Sequence, residues 1–388
     1  MSTDAPLFTR PFVVICLATF FFYLSFYLIL PVMPLYVAGM GGTPTQLGLI
    51  IGLFAFMAMV LRPPVGWIID TRGYRLVLLA GMAIFMLASL GYTIARSVDG
   101  VLVLRLFHGM GMGLFPTAAT VVVAEVAPSA RRGEAMGWFG IANSAGLIVG
   151  PAAGMALAGR MGFPVLFLVA GGVAAFGVGC LLTLPRIGQR PESTGRPLQW
   201  KDFFSPAAVL PSVVLLFLYV PYGALVSFIP IIGTRRGLEN PGTFYAVFAL
   251  AVLLVRAKAG HLSDRRGRVF VILPGMLVAS LAFAVLGLTS GSRGVLLGAA
   301  IYGVAFGSAQ PALMALTADR VPPEERGKAM GTFYTAWELG IMTGAVGSGL
   351  LVQVADFPLM LLASSAIPLA GALLSLKALS PAGPRRSP

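Results

Sequence analysis

The chain is organised as long apolar runs separated by short polar segments. Twelve apolar runs can be drawn, at 12–37, 45–69, 76–95, 100–124, 134–158, 163–184, 208–233, 243–262, 269–289, 294–318, 328–354 and 357–376. A helix that crosses a bilayer needs about 20 largely apolar residues. Each run is therefore predicted to be a transmembrane helix, and little of the chain remains for a soluble domain.

The composition agrees with this membrane assignment. Apolar residues make up 57% of the chain and charged residues 11%, whereas soluble globular proteins carry about 25% charged residues. The two cysteines, Cys16 and Cys180, lie inside predicted spans and are far apart in sequence. Neither a disulfide framework nor a metal site is predicted from them.

The distribution of basic residues predicts the topology. With a cytoplasmic N terminus, the inner loops and tails hold eighteen Lys and Arg residues, and the outer loops hold five: Arg96, Arg160, Arg235, Arg236 and Arg293. Basic residues concentrate on the cytoplasmic side of membrane proteins. We expect a multi-pass protein of the cell inner (plasma) membrane with both termini in the cytoplasm. The net charge of +13 is then explained by topology, and no nucleic-acid partner is expected.

The chain repeats its own pattern after 194 residues. Five positions near the end of the second span recur in the eighth: Arg62, Gly66, Asp70, Arg72 and Gly73 align with Arg256, Gly260, Asp264, Arg266 and Gly267. In the same register, "PSARRGEAMG" at 128–137 aligns with "PPEERGKAMG" at 322–331. A repeat kept in one register indicates two copies of one structural unit. We predict an N-terminal six-helix bundle at 1–184, a linker at 185–206, and a C-terminal six-helix bundle with a short tail at 207–388.

The predicted linker is rich in proline, glycine and basic residues, which is typical of a loop. A short interfacial helix is expected near 198–204. Two parallel six-helix repeats joined by a cytoplasmic loop describe a transporter with a central binding cavity. The chain resembles the major facilitator superfamily over essentially its whole length.

Two loop motifs carry that resemblance. Gly66-x-x-x-Asp70-x-x-Gly73-x-Arg75 is similar to the family signature G-x-L-x-D-R-x-G-R, except that Thr71 stands where arginine is usual. The second copy, Gly260-x-x-x-Asp264-Arg265-x-Gly267-Arg268, matches it fully.

Two motifs inside spans add to the resemblance. Arg105-x-x-His108-Gly109-x-Gly111 in span 4 is similar to the family signature R-x-x-x-G-x-G. In span 5, Gly146-x-x-x-Gly150-Pro151-x-x-Gly154 is similar to a signature of antiporters in this family. The resemblance implies an all-α fold of twelve helices in two pseudo-two-fold-related halves that works by alternating access. In the antiporter branch, this glycine seam hinders leakage between the halves.

The paired acid and arginine clusters predict a conformational latch. A carboxylate at the end of a span can accept charge-assisted hydrogen bonds from loop arginines, worth about 1–3 kcal/mol, in one transport state and lose them in another. The alternative is that these charges only stop the helices sliding into lipid. The predicted latch residues are Gly66, Asp70, Arg72, Gly73, Arg75, Gly260, Asp264, Arg265, Gly267 and Arg268.

Three ionisable residues inside spans are candidates for proton coupling, because charges there are costly and usually functional. Glu338 lies well inside span 11 and could load and release a proton; a counter-ion for a cationic substrate and a structural ion-pair partner remain alternatives. By the family resemblance, Arg105 modulates protonation or binds an anionic substrate, with structural pairing as the alternative. His108 could titrate near neutral pH or be a packed residue. The stems of Arg62 and Arg256 are expected to extend toward the cytoplasm.

Aromatic and polar residues in four spans suggest a mostly apolar cavity for small amphiphilic molecules. Contact of these side chains with lipid is the alternative. The candidate cavity residues are Tyr23, Tyr27, Asn143, Tyr219, Tyr222, Tyr334 and Trp337. Span 1 lacks the acid found in some multidrug-resistance relatives.

The predicted function is proton-coupled export, by antiport, of small amphiphilic compounds or drugs. The alternative is proton-coupled import of a sugar, organic acid or other metabolite, and a membrane sensor or lipid scramblase is a further class. The sequence contains no G-x-x-x-x-G-K-[ST] loop, so an ATP-driven pump is not predicted. Nor is an enzyme predicted. The driving force is expected to be the proton gradient without a cofactor, and the protein is expected to be a monomer.

Overall fold

The computed structural model describes residues 6–128, 131–185, 204–322 and 325–378, except for the side chains at 63, 66, 67, 70, 71, 132, 133, 377 and 378. Within these ranges the chain forms thirteen α-helices: α1 (Arg10–Ile29), α2 (Met33–Gly39), α3 (Pro44–Arg72), α4 (Tyr74–Gly91), α5 (Val98–Val126), α6 (Arg132–Met161), α7 (Phe163–Leu182), α8 (Pro206–Arg235), α9 (Gly242–Arg266), α10 (Arg268–Leu288), α11 (Ser292–Asp319), α12 (Arg326–Val354) and α13 (Phe357–Ala378).

Twelve helical stretches of the described chain are long and apolar enough to cross a membrane. They correspond one to one with the twelve predicted runs, so the prediction of an all-α membrane protein with twelve spans is confirmed. The predicted linker lies almost entirely outside the described residues, because these stop at 185 and resume at 204. The interfacial helix expected near 198–204 therefore also falls largely outside them.

The first span is interrupted, which the continuous apolar run did not indicate. Helix α1 ends at Ile29, and α2 begins at Met33 after a turn at Leu30–Val32. Pro31 lies within this turn, and Pro34 lies in the first turn of α2. Proline has no backbone N–H and clashes with the preceding helical turn, so the two prolines separate the span into a long and a short helix.

The motif glycines Gly73 and Gly267 each form a one-residue connection between helices. Gly73 joins α3 to α4 with φ +80°, and Gly267 joins α9 to α10 with φ +91°. Both have ψ near +150°, a backbone region that essentially only glycine adopts. The repeated glycine is thus required by the turn geometry in both copies.

The helices form two compact units. Unit 1 contains residues 1–198 with Glu239–Ala246, and unit 2 contains Gln199–Leu238 with Val247–Pro388. In unit 1, α1 packs on α6 and α7, while α5 packs on α3 and α4. In unit 2, α8 packs on α12 and α13, and α10 packs on α11 and α13. The start of α9 belongs to unit 1, where the Asn240 side-chain amide donates to Ala152 O at 3.0 Å.

Glycine contacts repeat in the two units in the sequence register. In unit 1, methyl groups added at Gly109 and Gly113 would meet α3 at Phe54 and Ala58. In unit 2, the equivalent Gly303 and Gly307 would meet α9 at Phe248 and Val252. Small residues at this spacing let helix backbones approach closely. The internal repeat therefore reflects one packing scheme used twice.

Many of the helices carry exposed large apolar side chains. Val103, Phe176 and Leu254 are each about two-thirds exposed, at 65%, 70% and 67%. In water such an apolar surface would promote association. It suits contact with lipid, as expected for membrane spans.

Candidate functional site

Unit 1 contains a buried basic cluster on α5. Arg105 and His108 lie one helical turn apart, and neither has any exposed surface. His108 Nδ1 lies 3.1 Å from the Tyr92 hydroxyl oxygen of the α4 C-cap. The Arg105 guanidinium carbon lies 5.2 Å from the centre of the Phe54 ring, and the Phe85 ring centre lies 4.0 Å from that of His108. Aromatic rings thus surround both basic side chains.

The polar atoms of this cluster are incompletely satisfied. None of the three Arg105 nitrogens, nor His108 Nε2, has a hydrogen-bond partner within the described chain. Each ring face contributes about 0.5–2 kcal/mol to binding a cation, whereas removing one ion from water costs several kcal/mol. The rings offset only part of that cost, and the Tyr92 hydroxyl adds a further interaction with the Arg105 guanidinium.

A second aromatic and polar group in unit 1 joins α1 to α6. The rings of Tyr23 and Tyr27 stack with centres 6.0 Å apart. The Tyr27 hydroxyl donates a hydrogen bond to Asn143 Oδ1 at 3.1 Å. The structure therefore brings together all three candidate cavity residues of the first half.

The four candidate cavity residues of unit 2 also form one cluster. The Tyr219 ring centre lies 4.3 Å from that of Trp337 and 5.8 Å from that of Tyr222, and Tyr334 is 5.7 Å from Trp337. Phe306 of α11 adds a ring centre 5.1 Å from Tyr219. The Tyr219 hydroxyl is buried and has no hydrogen-bond partner in the described residues. We call Tyr219, Tyr222, Phe306, Tyr334 and Trp337 the aromatic cluster.

Glu338 follows Trp337 of the aromatic cluster directly in the sequence. Its relative exposure is 4%, and among the described residues it is the one buried acid. It lies on α12, which packs along α8. The sequence predicted an acid well inside a span, and the buried position of Glu338 agrees with this. Glu338 belongs to unit 2, whereas Arg105 and His108 belong to unit 1.

Two of the predicted latch residues of the second half, Asp264 and Arg268, form an ion network with Asp319, which was not predicted. Arg268, at the start of α10, contacts the Asp264 carboxylate near the end of α9. Its Nε also lies 2.9 Å from Asp319 Oδ2 at the end of α11. The two carboxylates are 67% and 51% exposed. Exposed pairs contribute about 0.2–1 kcal/mol, which is weaker than the 1–3 kcal/mol expected from the sequence. Arg265 is exposed, and Gly260 has open space around it.

The first copy of the latch motif makes different contacts. Arg75 donates hydrogen bonds to Leu184 O at 3.1 Å and Leu182 O at 3.3 Å, at the end of α7. The 194-residue register aligns Arg268 with Tyr74 rather than with Arg75. A one-residue shift turns a side chain by about 100° around a helix, so the two arginines have different partners. Arg72 is exposed, whereas Gly66 and the Asp70 side chain lie outside the described part.

The glycine seam of α6 packs against α1 within unit 1. Methyl groups added at Gly146 and Gly150 would lie 3.0 Å from Leu24 N and 2.5 Å from Tyr27 Cβ, and one at Gly154 would collide with Leu28 O. Pro151 interrupts the hydrogen bonds of α6 without ending it. The equivalent glycines of α12, Gly340 and Gly344, pack against α8 in the same way. These glycines therefore serve helix packing in both units, beyond any role specific to antiporters.

Comparison with known proteins identifies the family. The family model of the Major Facilitator Superfamily matches residues 15–322 and, in a second match, 242–388. The chain belongs to the Major Facilitator Superfamily. The resemblance based on the sequence motifs is confirmed, and family membership identifies a membrane transporter rather than an enzyme.

Relatives and solved structures of this superfamily extend the comparison. An uncharacterized MFS-type transporter of Methanocaldococcus jannaschii is 26% identical over 88% of this chain and 91% of its own. The quinolone resistance protein NorA of Staphylococcus aureus is 27% identical over 51% of this chain and 53% of its own.

The fold matches two kinds of solved transporter structure. A POT family transporter in complex with 5-aminolevulinic acid superposes with a TM-score of 0.83 at 14% identity, covering 95% of this chain and 96% of its own. The nucleoside transporter NupG gives 0.77 at 14% identity, covering 95% and 99%. At these identities the likeness concerns the fold alone.

Sequence reasoning missed several partners of the predicted site residues in this superfamily member. Asp319 aligns with Glu125 in the 194-residue register, so the repeat could have indicated an acid at this helix end. Gln310 accepts a hydrogen bond from Arg256 at 3.1 Å. The Arg256 side chain therefore has a specific protein partner, whereas the sequence had suggested only that it extends toward the cytoplasm. Tyr92 and Phe54 carry no motif, and only tertiary packing places them beside Arg105 and His108.

Proposed function

We propose that this superfamily member exports small amphiphilic compounds in exchange for protons by alternating access. The observation that supports this most directly is the buried acid Glu338 on α12, the helix that also carries Tyr334 and Trp337 of the aromatic cluster. An apolar aromatic lining with few polar groups suits amphiphilic ligands, and a single acid on the same helix can carry the proton.

The relationship to a quinolone resistance protein supports the export direction. NorA shares 27% identity with about half of this chain. In this proposal Tyr23, Tyr27 and Asn143 of unit 1 are further candidates for contact with the substrate. The tyrosine and asparagine groups would fix the orientation of a substrate that is held mainly by apolar contact.

The remaining parts of the proposal concern topology and conformational change. The protein lies in the cell inner membrane with both termini in the cytoplasm, and it works as a monomer on a small-molecule substrate with the proton gradient as driving force. Arg268 with Asp264 and Asp319 acts as an ionic latch that is made in one transport state and broken in another. A weak exposed network suits this role because it can open at little cost.

Transport in proteoliposomes tests the coupling. Purified protein is reconstituted with an internal pH-sensitive dye, and norfloxacin, a quinolone, is added with and without an imposed pH gradient. We expect movement of norfloxacin to be accompanied by proton movement in the opposite direction. Glu338→Gln is expected to uncouple the two fluxes, because the amide cannot carry the proton.

The control replaces an exposed acid on the same unit, Asp356→Asn. This variant should keep coupled transport, since Asp356 is at the start of α13 and caps the Leu359 amide. Coupled transport that persists unchanged in Glu338→Gln would exclude Glu338 from the proton pathway. Accumulation of substrate in the same direction as the protons would reverse the proposed direction.

A further inference from the structure

We propose that the last turns of α9 bind the head group of an anionic phospholipid from the surrounding bilayer. The binding residues are Lys258, His261 and Arg265, which we call the basic face, with Arg266 and Phe270 beside it. The topology proposed above places this end of α9 at the cytoplasmic leaflet. The inference concerns the lipid around the transporter and does not depend on the proposed substrate.

The basic face continues an exposed apolar face of the same helix. Leu250 and Leu254 are 56% and 67% exposed, and the three residues of the basic face are exposed in turn. At 3.6 residues per turn, these five positions fall within a sector of about 80° around the axis of α9. Apolar and then basic side chains therefore follow one another along one face, which matches the acyl chains and the head group of a lipid.

Helix α10 provides a second exposed apolar face that starts at the same level. Phe270, Leu277 and Leu281 are 47%, 45% and 54% exposed, and their spacing places them on one side of the helix. The Arg266 guanidinium carbon lies 5.1 Å from the centre of the Phe270 ring. A cation at the end of α9 is thus held next to apolar surface on which an acyl chain can lie.

The charges around this surface identify an anion as its occupant. The acid of α9, Asp264, is engaged by Arg268, and none of the three basic-face residues has an ion-pair partner in the described ranges. Residues 186–203 contain four Lys or Arg and two Asp or Glu, and residues 379–388 contain two Arg and no acid. These segments are basic themselves, so the complementary charge has to come from outside the chain. Anionic lipids supply it at the membrane surface.

The first half of the chain lacks these cations. In the 194-residue register, the three residues of the basic face align with Pro64, Trp67 and Thr71, so the repeated architecture does not require them. Topology accounts for basic residues in loops, whereas Lys258 lies inside α9, about 12 Å along the axis before its end at Arg266. A cation at this depth is costly in lipid, and a phosphate within reach of its long side chain offsets that cost.

Native mass spectrometry of the purified full-length protein in detergent tests the site, because it resolves individual bound lipid molecules. The probes are dioleoylphosphatidylglycerol, which is anionic, and dioleoylphosphatidylcholine, which has the same acyl chains and no net charge. We expect the wild type to bind its first molecule of phosphatidylglycerol at least about tenfold more tightly than its first molecule of phosphatidylcholine, since each basic residue near a membrane surface favours anionic lipid severalfold.

The main variant combines Lys258→Gln, His261→Gln and Arg265→Gln. It should bind phosphatidylglycerol about tenfold to thirtyfold more weakly and leave the binding of phosphatidylcholine unchanged. All three positions are exposed, so the variant should fold normally. A second variant, Lys258→Arg with Arg265→Lys, keeps both charges and should keep the preference.

The matched control removes three exposed arginines that lie outside the basic face, through Arg96→Gln, Arg160→Gln and Arg293→Gln. It loses the same number of side chains and should keep the full preference for phosphatidylglycerol. An equal loss in this control would assign the preference to the overall charge of the protein and overturn the proposal.

Three further results would overturn it. One is a wild type that binds both lipids equally. Another is a preference that survives the triple glutamine variant. The third is displacement of the bound lipid by glycerol 3-phosphate at equal concentration, which would assign the site to a free phosphate compound. The measurement uses neither a transport substrate nor a proton gradient, so a failure of coupled export would leave its outcome unaffected.

Discussion

Replacing Gly344 by alanine tests the close packing of α8 and α12 that supports the aromatic cluster. A methyl group at Gly344 would collide with Val220 O and lie 2.6 Å and 2.9 Å from the carbonyl carbon and Cα of Val220. All three atoms belong to the α8 backbone, so no side chain can rotate away. Ordinary contact begins at 3.4 Å, and the two helices must therefore separate by more than about 1 Å.

The cost follows from the length of this interface. A gap of about 0.5–1 Å already removes a quarter to a half of the dispersion energy of the contacting atoms, and overpacking of a well-packed core typically costs about 1–3 kcal/mol. We expect Gly344→Ala to lower the free energy of unfolding by an amount in this range. The Tyr219 and Trp337 rings, which bridge the same two helices at 4.3 Å, should also be displaced.

Gly347 on the same helix provides the matched control, since a methyl group there meets nothing within 4 Å. Gly347→Ala gains the same helix propensity, up to about 1 kcal/mol, without the collision. Equilibrium unfolding of both variants in detergent micelles measures the difference. If Gly344→Ala were as stable as Gly347→Ala, the packing argument for α8 and α12 would be refuted.

Two further predictions concern the ion network and the buried histidine. Asp319→Asn should lower the free energy of unfolding by less than about 1 kcal/mol, because the pair with Arg268 is half exposed. This loss should vanish at about 1 M salt, where screening is strong. A loss of equal size in thermal unfolding at low and high salt would contradict the prediction. Tyr92→Phe should cost about 1–3 kcal/mol by leaving His108 Nδ1 buried and unpaired. Tyr36→Phe removes part-buried hydrogen bonds to Ala95 O at 2.8 Å and to Tyr92 O at 3.3 Å, both of them backbone acceptors, and should cost less. Thermal unfolding that ranks the two variants in the opposite order would count against the buried pair.

The sequence alone predicted the features that depend on composition and period. Twelve apolar runs indicated twelve spans because a helix in lipid must satisfy its backbone within itself and match the bilayer thickness. The 194-residue register indicated a duplicated unit, and the recurring glycines Gly109 and Gly303 make equivalent contacts in both copies. The burial of Glu338 could also be anticipated, because acids inside apolar runs are rare and avoid lipid.

Only the tertiary structure decided which side chains meet. Long-range contacts such as Tyr27 with Asn143 and Tyr92 with His108 depend on how helices rotate and cross, which hydrophobic period does not specify when all faces of a helix are apolar. The same reason explains why Arg75 and Arg268 have different partners despite nearly identical motifs. A shift of one residue moves a side chain to another face of its helix, and the neighbour on that face is fixed by packing rather than by the motif.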